Sequence, residues 1–289
     1  MKHNLKAILI ILALFFAAQL VGLAITEAYI LKPELPLNIE RPQVTEEQKS
    51  FTFIPIAFFI LIATGIVLLL FKFGFFRVWK FWFLLSVWLT LTISFNAFIA
   101  EKFAIIFALI FAFWKVFKNN VYVHNFTEVF IYGALVAIFA PILNITSAII
   151  LLLFISLYDY IAVRKTKHMV TLAESQHKTK LFAGLMLPYK KGKKTKIIAK
   201  TVSKVSTKKS KISVAILGGG DIGFPLLFAG IVMREMQLLL FSFKVLIVPI
   251  CAAIALFSLF YFGKDKKYYP AMPYITAGCL IGYLLVYLL

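Results

Sequence analysis

The chain has 289 residues, 62% of them hydrophobic and 16% aromatic, with a mean hydropathy of +0.93 and a formal charge of +19. Soluble domains use roughly 45–50% apolar residues, so the polar surface that a soluble fold needs is missing here. Disordered, collagen-like and nucleic-acid-binding globular classes are excluded on the same ground. At about 20 apolar residues per crossing there is chain enough for roughly nine spans. The composition predicts an all-α, polytopic membrane protein.

In chain order, apolar runs bounded by charge, proline or asparagine predict nine transmembrane helices over 7–29, 53–71, 79–100, 103–117, 126–142, 145–163, 213–233, 237–262 and 270–289. The first follows Lys2 and Lys6 but is too long for a signal-peptide core and lacks a clear cleavage site, so it reads as a retained span. Only Glu101-Lys102 separates the third run from the fourth, and Asn144, after Pro141, separates the fifth from the sixth. The organisation is thus a bundle over 1–163, a basic loop over 164–212 and three further helices over 213–289.

Charge sets the expected orientation. Between Arg164 and Lys211 lie fifteen lysines and arginines and one acid, Glu174, so this loop carries +14 of the +19. The other loops on its side carry Lys2/Lys6, Lys72/Arg77/Lys80, Lys115/Lys118 and Lys264/Lys266/Lys267, while the opposite segments are mixed or uncharged. The positive-inside rule then puts the N-terminus in the cytoplasm and the C-terminus outside. The Lys/Thr/Ser stretch 189–211 suits a solvated tether facing anionic lipid headgroups. It lacks the aromatic interleaving of a nucleic-acid surface. Leu181–Pro188 reads as a short apolar insert at the membrane surface.

Metal and disulfide chemistry find little support. Cys251 and Cys279 lie in apolar runs, and His3, His124, His168 and His177 form no ligand spacing. Glu27, Lys244 and Glu128, the last close to Asn125, read as groups at helix ends near the interface.

The acids are the informative residues. Only three are aspartates, and two of these, Asp159 and Asp221, sit in apolar surroundings on either side of the basic loop. Asp159 lies five residues before Arg164, about 8 Å from the inner helix end. Asp221 lies ten residues after Lys211, about 15 Å in from the same side, behind Gly218-Gly219-Gly220. Unwinding at the glycines would bring the two level. Each ionisable group in a span costs about 2.5–3.5 kcal/mol even on the lenient insertion scale, so the pair is expected to face itself or a wet cavity. Paired carboxyls share one proton, so one can take a proton from water while the other donates to a carbonyl oxygen. That is peptide hydrolysis through a tetrahedral diol, with a catalytic water and no metal or cofactor. A transporter or proton pathway using the two acids as relay groups is the alternative, and a scaffold in which they only bond helices is a third reading.

Tyr158-Asp159, Gly218-Gly219-Gly220-Asp221 and Pro270-Ala271-Met272 resemble the Y-D, G-x-G-D and P-A-L motifs of the presenilin and signal peptide peptidase family. Lys165-Thr166-Lys167-His168-Met169-Val170-Thr171-Leu172-Ala173-Glu174 is similar to a stretch of the archaeal members. Order and span placement agree along the whole chain. The resemblance implies an intramembrane aspartyl protease cutting transmembrane segments or signal-peptide remnants in a cell membrane, with an archaeal plasma membrane as its setting. Asp159 and Asp221 would be catalytic, and Tyr158, Gly218, Gly220, Pro270, Ala271 and Met272 would shape the substrate site. Met272 stands where leucine is usual. Lys211–Leu217, rich in β-branched residues, is expected to pair with an unwound substrate as an added strand.

Overall fold

The computed structural model describes residues 5–32, 34–118, 120–165, 182–190, 212–240, 242–263 and 269–289. Most of the basic tether, His168, His177, Glu174 and the Lys264–Lys267 group lie outside these.

The chain is mostly helical. Its long helices are α1 (Leu5–Leu31), α3 (Phe53–Lys72), α4 (Phe76–Asn96), α5 (Glu101–Phe117), α6 (Val121–Phe139), α7 (Ile145–Arg164), α8 (Gly219–Glu235), α9 (Phe243–Phe262) and α10 (Met272–Leu288). A four-residue helix, α2 (Glu46–Lys49), closes the connection after α1 with a capping box in which Thr45 and Gln48 bond each other's backbone N–H. Among the described residues, six of the apolar segments are long enough to cross a bilayer by length and composition, and α10 is shorter but apolar.

Helix ends follow local chemistry. Asn120 and Asn144 cap α6 and α7 through their side-chain oxygens. Pro141 ends α6 in a short 3-10 turn closed by the Leu143 N–H on the Ala140 carbonyl, and Arg234 donates to the carbonyls of Ala140 and Leu143 at its two ends. Arg234 and Glu27 serve the backbone here, Glu27 accepting from the N–H of Leu240 at 2.9 Å.

The core lies among α1, α6, α7, α8, α9 and α10, with α1 packed against α6, α8 and α9. Close approach depends on missing side chains, as at Gly22, where an added Cβ would fall 2.2 Å from Leu226. By contrast α3 buries only Ala57 and lies at the periphery against α4 and α7.

The all-helical expectation needs one correction. Gly184–Lys190 forms strand β1 and Ile212–Gly218 strand β2, paired antiparallel with Gly184 opposite Gly218 and Met186 opposite Ile216. Residues 184–188 of the apolar insert belong to β1, and the seventh helix begins at Gly219, not near 213. The cause is the alternation of β-branched Ile212, Val214 and Ile216 with Ser213, Ala215 and Leu217. Ala215 and Leu217 are 1% and 2% exposed, against 38% and 43% for Val214 and Ile216.

Candidate active site

Asp159 stands on α7, one turn from its end, and is buried. Its carboxyl is held from across the bundle. The N–H of Met272, the first residue of α10, donates to Asp159 Oδ2 at 3.1 Å, and the N–H of Ala271 also bonds the carboxyl. The Pro270-Ala271-Met272 segment is thus a backbone donor to Asp159, with all three residues buried. The Met272 side chain is only 2% exposed and belongs to the core.

Asp221 occupies the first turn of α8, the third residue of the helix after its N-cap, Gly218. This is half of a capping box: the side chain at the third position reaches back to the N-cap backbone N–H. Asp221 accepts that bond from Gly218. A Cβ on Gly218 would fall 3.3 Å from Asp221 Oδ2. The G-x-G-D spacing is therefore a helix start, and Asp221 sits at a strand-to-helix junction, not ten residues deep in a helix. Asp159 and Asp221 lie within electrostatic reach of each other, brought together by the packing of α7 on α8.

Gly218 is extended (φ −65°, ψ 151°), and neither it nor Gly220 has positive φ. Gly220 is open apart from the Phe224 ring 3.5 Å away. The tight position is Gly219, where an added Cβ would meet the Tyr132 hydroxyl at 2.7 Å and the Ala183 carbonyl at 3.3 Å. Tyr158 is half-buried beside Asp159 on α7.

Sequence reasoning missed the part played by four residues. Gln19, fully buried on α1, donates to the carbonyl of Ile222 at 3.0 Å and so ties α1 to the turn carrying Asp221. Lys115 and Glu128, assigned to the interface by their positions, are buried partners at 2.5 Å. Tyr132 donates to Glu128 and faces Gly219. The spacing of His124, Asn125, Glu128 and Tyr132 on one face of α6 was the available signal.

The family described as signal-peptide peptidase, presenilin aspartyl protease matches residues 12–289. The chain belongs to this family. It is an intramembrane aspartyl protease. A solved structure of a presenilin family intramembrane aspartate protease, in a C222 crystal, overlaps it with a TM-score of 0.67 at 17% identity, covering 97% of this chain and 98% of that one. A second, in a P2 crystal, gives a TM-score of 0.61 at 16% identity, with 97% of each chain covered. These two likenesses bear on the fold. No curated protein matches.

Proposed function

We propose that Asp159 and Asp221 are the catalytic pair of this protease and that a substrate strand reaches them along β2. The observation that carries the proposal is the convergence of two carboxyls from separate helices, with Asp159 bonded to the backbone N–H groups of Ala271 and Met272 and Asp221 to that of Gly218. One carboxylate takes a proton from water, the water oxygen attacks the peptide carbon, and the other carboxyl protonates the carbonyl oxygen. The diol collapses as the first carboxyl returns its proton to the amide nitrogen and the second takes one back from a diol hydroxyl, so the C–N bond breaks to an acid and an amine. Water and the two carboxyls suffice, and no metal or cofactor takes part.

Strand geometry supports the route. The N–H of Gly219 donates to the carbonyl of Ala183 at 3.1 Å, so odd-numbered residues of the two segments face each other's hydrogen bonds. The peptide groups of Val214, Ile216 and Gly218 then point to the opposite edge of β2, which pairs with no strand among the described residues. Gly218, last on that edge, is the residue whose N–H Asp221 binds. A helical substrate hides its peptide bonds, whereas a strand added at this edge would run its backbone toward Asp221. Tyr158 and Gly220 flank this path, and Pro270, Ala271 and Met272 close it from the Asp159 side.

We read the long helices as nine spans with the N-terminus cytoplasmic and the C-terminus outside, in a plasma membrane of archaeal type. The basic stretch 189–211 is read as meeting anionic headgroups, and the substrates as transmembrane segments or signal-peptide remnants. A peptide carrying a secondary alcohol in place of the scissile amide tests the pair. It should bind the wild type far more tightly than Asp159→Asn. Equal binding would remove the dyad from the mechanism.

A further inference from the structure

A buried polar cluster on α6 does work that hydrolysis itself does not require. The outer edge of β1, away from β2, carries the peptide groups of Gly184 and Met186. Glu128 Oε2 accepts from the N–H of Gly184 at 2.9 Å, and His124 Nε2 lies 2.7 Å from the Gly184 carbonyl, to which it donates. Asn125 accepts from the N–H of Met186 at 3.0 Å and donates to its carbonyl at 2.8 Å. These four bonds are those that a neighbouring strand would make. Side chains from one helical face thus stand in for a strand.

The rest of the cluster fixes those side chains. Glu128 takes its charge partner from α5, where Lys115 Nζ lies 2.5 Å from Oε1 and 3.0 Å from Thr127 Oγ1. Thr127 in turn donates to the carbonyl of His124 at 2.8 Å. Tyr132, bonded to Glu128, places its ring against Gly219 and Gly223 beside Asp221. Gly184 has φ +139°, and a Cβ there would fall 2.2 Å from the Leu217 carbonyl, so the backbone itself must lie against both β2 and α6.

An unpaired strand edge in a membrane protein interior is costly, and it is also a second place for a substrate strand to add. Closing it leaves one open edge. We propose that His124, Asn125 and Glu128 are positioning residues, with Lys115 as counter-charge, that pin β1 and through it β2 at a fixed offset from Asp221 and so set which peptide bond of a substrate is cut. The proposal rests on the reading that substrate adds to β2.

The test uses the full-length enzyme in detergent and a synthetic transmembrane peptide, with products identified by mass spectrometry and rates normalised to folded protein. Asn125→Ala should add cuts displaced by two residues, the strand repeat, and raise KM roughly tenfold for the two bonds lost. The kcat at the original bond should change less. Lys115→Met should broaden the cuts likewise, and Lys115→Met with Glu128→Gln should restore one site, because the amide oxygen still accepts from Gly184 and Tyr132 while no buried charge is left alone. A single wild-type cut at unchanged KM in both single variants would overturn the proposal. So would a double variant no better than Lys115→Met. Val214→Pro run alongside separates the two levels. If it cleaves normally, strand addition and this proposal fall together. If it is impaired while Asn125→Ala is unchanged, only the positioning role falls.

Discussion

Proline substitutions along β2 should separate substrate binding from folding by parity alone. Val214 lies opposite Pro188, and both have their peptide nitrogen directed away from the β1–β2 ladder. β1 already carries a proline at such a position, so Val214→Pro should cost under about 1 kcal/mol of stability. It removes an N–H from the open edge and puts a ring there. A substrate carbonyl left unpaired costs about 1–3 kcal/mol, a roughly 5- to 150-fold fall in kcat/KM. Ala215→Pro does the reverse. It deletes a ladder bond to Leu187 inside the sheet, orphaning that carbonyl for about 1–3 kcal/mol and adding steric strain. The assay pairs thermal unfolding in detergent with cleavage of a synthetic transmembrane peptide. Val214→Pro should keep the wild-type Tm and lose activity, whereas Ala215→Pro should lose both. Wild-type cleavage by Val214→Pro, or equal Tm values for the two variants, would refute the parity argument.

Two further outcomes follow from the site. Gly219→Ala should destabilise the protein by about 1–3 kcal/mol, since its Cβ would fall 2.7 Å from the Tyr132 hydroxyl, while Gly220→Ala, with only Phe224 at 3.5 Å, should unfold at or above the wild-type Tm; the opposite order would contradict the packing described. Met272→Leu conserves volume and keeps the N–H to Asp159, so its cleavage rate should stay close to wild type, whereas Met272→Pro deletes that donor and should lose most activity; equal rates would show that the bond is immaterial.

Hydropathy made most of the helices legible, because membrane-facing helices must be apolar over their whole length whatever their neighbours are. The same signal hid β2. The stretch 214–218 runs without a polar break into α8, so an apolar window joins them, and only the alternate β-branching marks a strand. Its partner, Gly184–Lys190, is a short apolar stretch among lysines, and nothing local says what it pairs with. Asp159 and Asp221 stood out because ionisable groups are rare in spans, but the donors to Asp159 are backbone N–H groups more than a hundred residues away. Lys115 and Glu128 misled for a physical reason. Near a span's end a charge reads as interfacial, and only the packing of α5 on α6 shows the two buried together. Gly219, the unnamed position of G-x-G-D, is constrained by Tyr132 from another helix, which a motif cannot display.

The central claim is that Asp159 and Asp221 act together on a peptide bond. Its most direct measurement is cleavage of a synthetic transmembrane peptide by purified wild type, Asp159→Ala and Asp221→Ala, each confirmed folded by thermal unfolding. Both variants should lose essentially all cleavage while remaining folded. Cleavage at the wild-type rate by either variant would contradict the account.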